Sequence, residues 1–199
     1  MRKLFIQLIM LMTITTFGQY TKEDAKADLQ QLKNGTLLVR LKTNEASISA
    51  LEAQGRHKEA EQLKERLYQE NKEILLSFTN AFDFCRVYFF YAPSSDDIRE
   101  RNFEGLVFNA NRQIVDVDSL QGAIYTAEFS ETENLGIKGL IIMDGNLFPL
   151  KSPFPFYQRK YRVMGLVTDS KAKMIDLYNQ KLHATYKLWF PEEEDKATP

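Results

Sequence analysis

The chain has 199 residues, 44% of them hydrophobic and 27% charged, a composition typical of one ordinary globular domain. Its 26 basic residues nearly balance its 27 acidic ones, so it lacks the excess of positive charge with which proteins bind nucleic acid. Cys85 is the only cysteine, which excludes an internal disulfide. We expect Cys85 to be a small buried hydrophobic residue rather than a reactive thiol.

Residues 1–18 have the layout of a secretory signal peptide. Arg2 and Lys3 precede an apolar stretch of about fourteen residues that ends at Gly18. This stretch is shorter than the ~20 residues that cross a bilayer, so cleavage near Gly18 is favoured over a membrane anchor. The mature chain would keep 24 of the 26 basic residues against 27 acidic ones, a net charge of about −3. We expect an exported protein, periplasmic or extracellular, with no transmembrane segment in the mature chain.

The first part of the mature chain predicts helices around one strand. Thr21 and Asp24 form a capping box, and the short helix that they start ends at an Asn-Gly pair. Residues 36–42 follow as a strand. Residues 45–79 then show helical periodicity that Gly55 interrupts, which predicts a helical hairpin or a kinked long helix.

Residues 82–92 are the densest run of aromatic and β-branched residues in the predicted mature chain. Both alternate faces of this run are largely apolar, which predicts a central strand covered on both sides. A helical crossover joins it to the strand at 36–42, so the two should pair in parallel. Arg86 interrupts one apolar face, and a buried guanidinium would require a carboxylate such as Glu128 or Asp116 as its partner.

The second half of the chain predicts strands and a last helix. We expect a hairpin at 105–117, a strand at 122–129, a hairpin at 138–148 around Asp144-Gly145, a half-exposed strand at 157–167 and a helix from Thr168-Asp169. The predicted fold is α/β (α+β): a layered sandwich with a mixed sheet of about five to seven strands, a helical crossover and a covering C-terminal helix. It would form a single domain over residues 19–190, followed by a disordered acidic tail at 191–199.

The segment Ser94–Arg101 is the first candidate site, because open α/β sheets bind ligands at the carboxyl ends of their strands. Its hydroxyls could meet a polar or anionic ligand, with Arg99 or Arg101 as a clamp. Alternatively, Ser94 and Asp97 cap one helical turn and the charges face solvent. The candidate ligand-binding residues in and near this segment are Arg86, Tyr88, Ser94, Ser95, Asp97 and Arg99.

Residues 154–162 form the second candidate, in which aromatic rings such as Tyr157 alternate with basic residues such as Arg159. Rings and cations in this arrangement could stack on sugars or meet acidic polymers. Alternatively, the rings fill the core and the basic residues keep an edge strand unpaired.

The sequence contains no motif that specifies a reaction. A nucleophile elbow and a phosphate-binding glycine loop are both absent. His57 and His183, the only histidines, have no second zinc ligand at helical spacing. Asp116 and Asp118 could hold a hard cation, but they more simply form a solvated strand end. We therefore expect no metal and no cofactor.

Phe90–Pro93 resembles the strand end that precedes the active-site helix of thioredoxin-fold disulfide isomerases. That family has a Cys-x-x-Cys pair next, and here the corresponding residues are Ser95 and Ile98. Redox exchange by that route is excluded, because a thiolate is its nucleophile.

These features favour a binding or interaction module of the cell envelope or periplasm, with an unknown protein or a polar small-molecule or glycan ligand as its partner. One alternative is a small-molecule, hydrolase-like enzyme with its site at Ser94–Arg101. Another is a structural subunit of an envelope complex. Whether the protein is an enzyme stays open, with the balance against it because catalytic motifs are lacking.

Overall fold

The computed structural model describes residues 20–131, 138–159 and 171–191. Its helices are α1 (Lys22–Asn34), α2 (Glu45–Ala53), α3 (His57–Ala81), α4 (Ser95–Arg99) and α5 (Lys171–Trp189). Its strands are β1 (Thr36–Leu41), β2 (Arg86–Tyr91), β3 (Ile124–Glu131), β4 (Lys138–Met143) and β5 (Tyr157–Arg159). The predicted signal peptide, the residues of the acidic tail after 191 and the predicted start of the last helix lie outside the described residues.

The strands form one mixed sheet in the order β2-β1-β3-β4-β5. β1 pairs in parallel with β2 and with β3, whereas β3–β4 and β4–β5 are antiparallel. The predicted α/β class with a mixed sheet is confirmed. So is the parallel pairing across the helical crossover, in which Thr36 lies opposite Arg86 and Leu41 lies opposite Tyr91.

β2 lies at one end of the strand order and β3 lies in its middle, so the prediction that residues 82–92 form the central strand is wrong. β1 has a strand on each side, and its Leu37, Leu38 and Val39 are fully buried. β2 lies at the edge, where Phe89 alone exchanges backbone hydrogen bonds with Phe108. The apolar faces of a strand report what covers it above and below. The position of a strand within its sheet depends on backbone hydrogen bonds at its two edges, and these bonds produce no pattern of side chains in the sequence.

Each face of the sheet carries its own hydrophobic core. Leu37, Val39 and Leu41 face the larger core, to which α1 contributes Leu29, α3 contributes Phe78 and α5 contributes Tyr178. Leu38 and Phe90 face a smaller core completed by Ile98 of α4, Phe103 and Val107. The short α4 and the segment after it therefore take the place that a covering helix has in a larger α/β protein.

Local sequence signals place the first helices. Thr21 and Asp24 form the predicted capping box, with the Asp24 N–H 3.2 Å from Thr21 Oγ1 and the Thr21 N–H 2.8 Å from Asp24 Oδ2. Gly55, with φ of +72°, lies between α2 and α3, so the helical region is a hairpin. Positive φ is a conformation that glycine adopts without strain.

Two predicted hairpins differ from the structure. Within residues 105–117 the hairpin is reduced to one isolated bridge between Phe108 and Ile114, and the other backbone edge of Phe108 bonds to Phe89 of β2. After β4, the turn spans residues 144–148 instead of two residues, because the Asp144 carboxylate accepts hydrogen bonds from the backbone N–H groups of Asn146 and Phe148. In the turn after β4, the Asp144 side chain thus accepts an N–H group that a regular hairpin would pair with a backbone carbonyl.

A polar clamp fixes α5 to the chain that enters β2. Asn179 Oδ1 accepts hydrogen bonds from the N–H groups of Asp83 and Phe84, at 3.2 and 3.1 Å. Asp83 Oδ1 lies 2.8 Å from both Asn179 Nδ2 and His183 Nε2. The hydrogen bonds from Asn179 and then His183 lower the pKa of Asp83 below its ordinary value. His183 thus has a structural partner in place of a metal.

Two equivalent truncations compare β1, which lies inside the sheet, with β2, which lies at its edge. Val39→Ala in β1 should lower the free energy of unfolding by about 2 kcal/mol, from lost burial and the cavity left in a fully buried site. Val87→Ala in β2 should cost less than half as much, because Val87 is only half-buried. Urea unfolding of both variants measures the difference, and equal costs would contradict the interior position of β1.

Candidate functional site

A cleft of about 560 Å³ opens where β3 begins and β4 ends. This volume lies in the range of small-molecule sites. α1, the start of β3, the turn after β4 and the segment after α4 each contribute to its wall. The lining residues are Asp28, Gln31, Arg101, Phe103, Val117, Leu120, Gly122, Ala123, Ile124, Tyr125, Asp144, Gly145 and Asn146.

Asp28 of α1 accepts hydrogen bonds from two tyrosines. The Tyr125 hydroxyl donates to Oδ1 at 2.8 Å and the Tyr20 hydroxyl donates to Oδ2 at 2.5 Å. Burial raises the pKa of each tyrosine hydroxyl well above its ordinary value, and the hydrogen bond to Asp28 is the second largest cause of this shift. Both tyrosines therefore stay protonated near neutral pH and hold the carboxylate in one orientation.

Asp144 provides a second carboxylate, fixed at the end of β4. Its Oδ1 accepts the N–H groups of Asn146 and Phe148 at 2.8 and 2.9 Å, and its carbonyl accepts the Thr126 hydroxyl at 3.0 Å. Within the described part of the chain, Oδ2 has no hydrogen-bond partner. The turn thus holds the Asp144 carboxylate in place while one oxygen stays available.

Arg101 brings a guanidinium group to the same wall. Its backbone is left-handed, with φ of +66°, and its side chain lies against Gly145. A methyl group at position 145 would lie 2.5 Å from Arg101 Nη2 and 2.8 Å from the Ile124 carbonyl oxygen, so only glycine allows this approach. Among the described residues, Arg101 forms no ion pair and no hydrogen bond through its side chain. A cation without a partner therefore lies beside the Asp144 turn.

The expectation that Arg86 is buried is wrong. Its side chain is exposed and donates a hydrogen bond to Gln121 Oε1. Glu128, one predicted partner, instead pairs with Arg40 of β1 at 2.9 Å. Arg86 is the first residue of the edge strand β2, where its side chain reaches water, whereas Phe89 and Phe90 further along the strand are buried. Arg86 needs no carboxylate there.

The residues of Ser94–Arg101 separate into two groups. Ser95 is buried and its hydroxyl donates to the Ala92 carbonyl, while Arg99 pairs with Asp96 at 2.6 Å on the surface. Ser94 is half-buried and makes no side-chain cap bond, and Asp97 is exposed. The cap that the alternative interpretation expected from Ser94 and Asp97 does not form, because Ser94 makes no cap bond and the Ser95 hydroxyl donates to a carbonyl instead of accepting an N–H. Arg101, the last residue of the segment, lines the cleft.

The remaining candidates lie apart from one another. Tyr88 packs against the smaller core. Tyr157 and Arg159 belong to β5, at the opposite edge of the sheet from β2, and the Tyr157 ring packs over Gly139. The eight predicted ligand-binding residues are thus not brought together into one site, and ligand binding by each of them stays a prediction.

Sequence reasoning missed Asp28, Tyr125 and Asp144 as site residues. Asp28 lies among the charged residues of α1, and Tyr125 fits the alternation of a strand. Asp144 was assigned only to a turn. The Asp28–Tyr125 contact joins residues 97 positions apart, so no local pattern contains it. The one local signal was the Asp-Gly pair, which marks a place where the backbone must turn tightly.

The remaining reactive groups offer no alternative centre. Burial raises the pKa of the half-buried Cys85 thiol to about 12, so it is not a thiolate near neutral pH. The described residues include no group of three or more His, Cys, Asp or Glu side chains that could hold a metal. In the same residues, no helix is both long and apolar enough to span a bilayer.

A double-mutant cycle tests the Asp28–Tyr125 contact. Asp28→Ala should lower the free energy of unfolding by about 2 kcal/mol, because it removes the acceptor at 2.8 Å from the buried Tyr125 hydroxyl and leaves only Gln31 Oε1, at 3.4 Å. In a Tyr125→Phe background the same change should cost about 1 kcal/mol less, since that hydroxyl is already gone. Denaturant unfolding of the four proteins gives the coupling energy. Additive costs would show that the contact does not form.

Comparisons with known proteins assign this chain to no family. Neither the protein-family models, nor the curated proteins, nor the solved structures contain a match. The chemistry of the cleft therefore has to indicate the function.

Proposed function

We propose that the protein is an exported binding module of the cell envelope that takes a small polar ligand in the cleft between α1, β3 and the turn after β4. Arg101 carries the proposal. Its guanidinium lies beside Asp144 and has no partner among the described residues, in a cleft of ligand size. The Arg101 side chain is exposed, so an anionic group of a ligand can reach the guanidinium and accept two parallel hydrogen bonds from it.

The polar groups of the cleft are held in place before any ligand arrives. Two tyrosine hydroxyls orient Asp28, and two backbone N–H groups orient Asp144. Groups that are already ordered lose little conformational entropy on binding. This supports selective recognition of a small molecule in preference to a broad contact with a protein surface.

Enzyme activity is the weaker alternative. Of the segment Ser94–Arg101, only Arg101 lines the cleft, and the described lining has no serine, cysteine, histidine or lysine that could act as a nucleophile. Asp28 and Asp144 could still exchange protons with a bound substrate. A role as a structural subunit of an envelope complex is the third possibility, and co-purification of a stoichiometric partner would favour it.

The layering and the number of strands predicted from the sequence are also part of this proposal. We propose a layered sandwich with a mixed sheet of about five to seven strands. The helices on one face and α4 with its following segment on the other support it. Of the strand predicted at 157–167, the part after β5 lies outside the described residues.

Export is tested by the mass of the protein recovered from an expressing cell. The layout of residues 1–18 predicts a mature chain that begins near Gln19 and lacks Arg2 and Lys3. An intact Met1 on a cytoplasmic species would refute cleavage. The layout of a signal peptide is the only support for export, so this test does not depend on the ligand.

Ligand binding is tested by thermal unfolding of the mature chain with amino acids, neutral sugars, sugar acids and dicarboxylates. One class should raise the melting temperature by about 5 °C or more at a hundredfold excess over its Kd. Arg101→Ala should weaken that binding tenfold or more, because it removes a charged partner.

Arg112→Ala is the matched control. Arg112 also has a left-handed backbone, with φ of +61°, and its guanidinium stacks on Tyr68 outside the cleft. Binding should therefore survive this change. A panel in which no class shifts the melting temperature would contradict the proposal, and so would an equal loss of binding in both arginine variants.

A further inference from the structure

The charges that line the cleft do not cancel. Asp28 and Asp144 contribute two negative charges and Arg101 contributes one positive charge, and the described lining has no other charged residue. The partners of Asp28 are hydroxyls and those of Asp144 are backbone N–H groups. Such donors stabilise a carboxylate but leave its formal charge in place. The cleft therefore carries a net charge of −1 and favours a ligand with a net charge of +1.

The single guanidinium favours a ligand that also carries an anionic group. A purely cationic ligand would be repelled by Arg101, whereas a carboxylate can accept two parallel hydrogen bonds from it. Arg101 lies against Gly145, the residue next to Asp144, so the sites for an anion and for a cation are neighbours. An α-amino acid has its carboxylate and its ammonium group on one carbon, and it would place both charges at neighbouring sites.

Asp28 provides a second site for a cation on another wall of the cleft. Each carboxylate oxygen accepts one tyrosine hydroxyl, and each keeps a further lone pair for a ligand donor. Because Asp28 belongs to α1 whereas Asp144 follows β4, a ligand that contacts both must extend across the cleft. A basic amino acid carries its second cation at the end of an extended side chain, separated from its α-ammonium group.

Other ligand classes fit less well. Sugars stack on exposed aromatic faces, but Phe103 and Tyr125, the aromatic residues of the lining, are only 8% and 3% exposed. A dicarboxylate would place one of its charges near Asp28 or Asp144. The side chains that line the cleft therefore disfavour both sugars and dicarboxylates.

We propose that the ligand of the cleft is a dibasic amino acid such as lysine, ornithine or arginine. Its α-carboxylate pairs with Arg101, its α-ammonium group with Asp144 and its side-chain cation with Asp28. This inference rests on the proposed function and narrows it to one chemical class. It requires three charged groups on one molecule, and each of them can be removed separately.

Isothermal titration of the mature chain with L-lysine and two analogues tests this assignment. L-Norleucine lacks the side-chain cation and 1,5-diaminopentane lacks the carboxylate, and each should bind at least tenfold more weakly than L-lysine. Asp28→Asn should remove most of the preference for lysine over norleucine, and Arg101→Ala most of the preference for lysine over the diamine. Arg112→Ala should keep both preferences.

The outcomes separate the two proposals. Norleucine or the diamine binding as tightly as lysine would overturn the dibasic assignment. A sugar or dicarboxylate that binds in an Arg101-dependent manner while lysine does not would also overturn it, and the cleft would remain a binding site. If no compound in either set binds, both proposals fail.

Discussion

The structure depends on the burial of one short strand. β1 has six residues, is bonded on both edges, and faces a hydrophobic core on each side. Its first residue also fixes the approach to β3, because the Thr36 N–H donates to the Ala123 carbonyl at 2.9 Å and the Thr36 hydroxyl donates to the Gln121 carbonyl at 3.0 Å. β1, an interior strand of the sheet, therefore sets the position of the cleft at the start of β3.

The cleft forms because α1 lies close to β1 and to the start of β3. Gly35, between α1 and β1, approaches the backbone at Ala123 so closely that no side chain fits there. This contact brings Asp28 of α1 within hydrogen-bond distance of Tyr125 on β3. On the other wall, Gly145 allows the Arg101 guanidinium to lie beside Asp144. Two close backbone approaches thus assemble groups of opposite charge without pairing them with each other.

Local chemistry predicted most of the elements but not their neighbours. The capping box at Thr21, the break at Gly55 and the apolar spacing of α5 are contained in short stretches, so periodicity and turn residues revealed them. The order of the strands and the partners of Arg86 and Asp28 depend on contacts between distant segments. The aromatic run at 82–92 was therefore assigned to the centre, because hydrophobicity reports burial of a strand's faces and not the pairing of its edges.

The claim that joins the fold to a function is that ligand binds where β3 begins and β4 ends. Amide chemical shifts of the ¹⁵N-labelled mature chain, recorded with and without saturating L-lysine, test it most directly. We expect the largest changes at residues 28–31, 122–125 and 144–146, with α2 and the first half of α3 unaffected. Changes confined to the α2–α3 hairpin or to β5, or no changes at saturating concentration, would contradict the account.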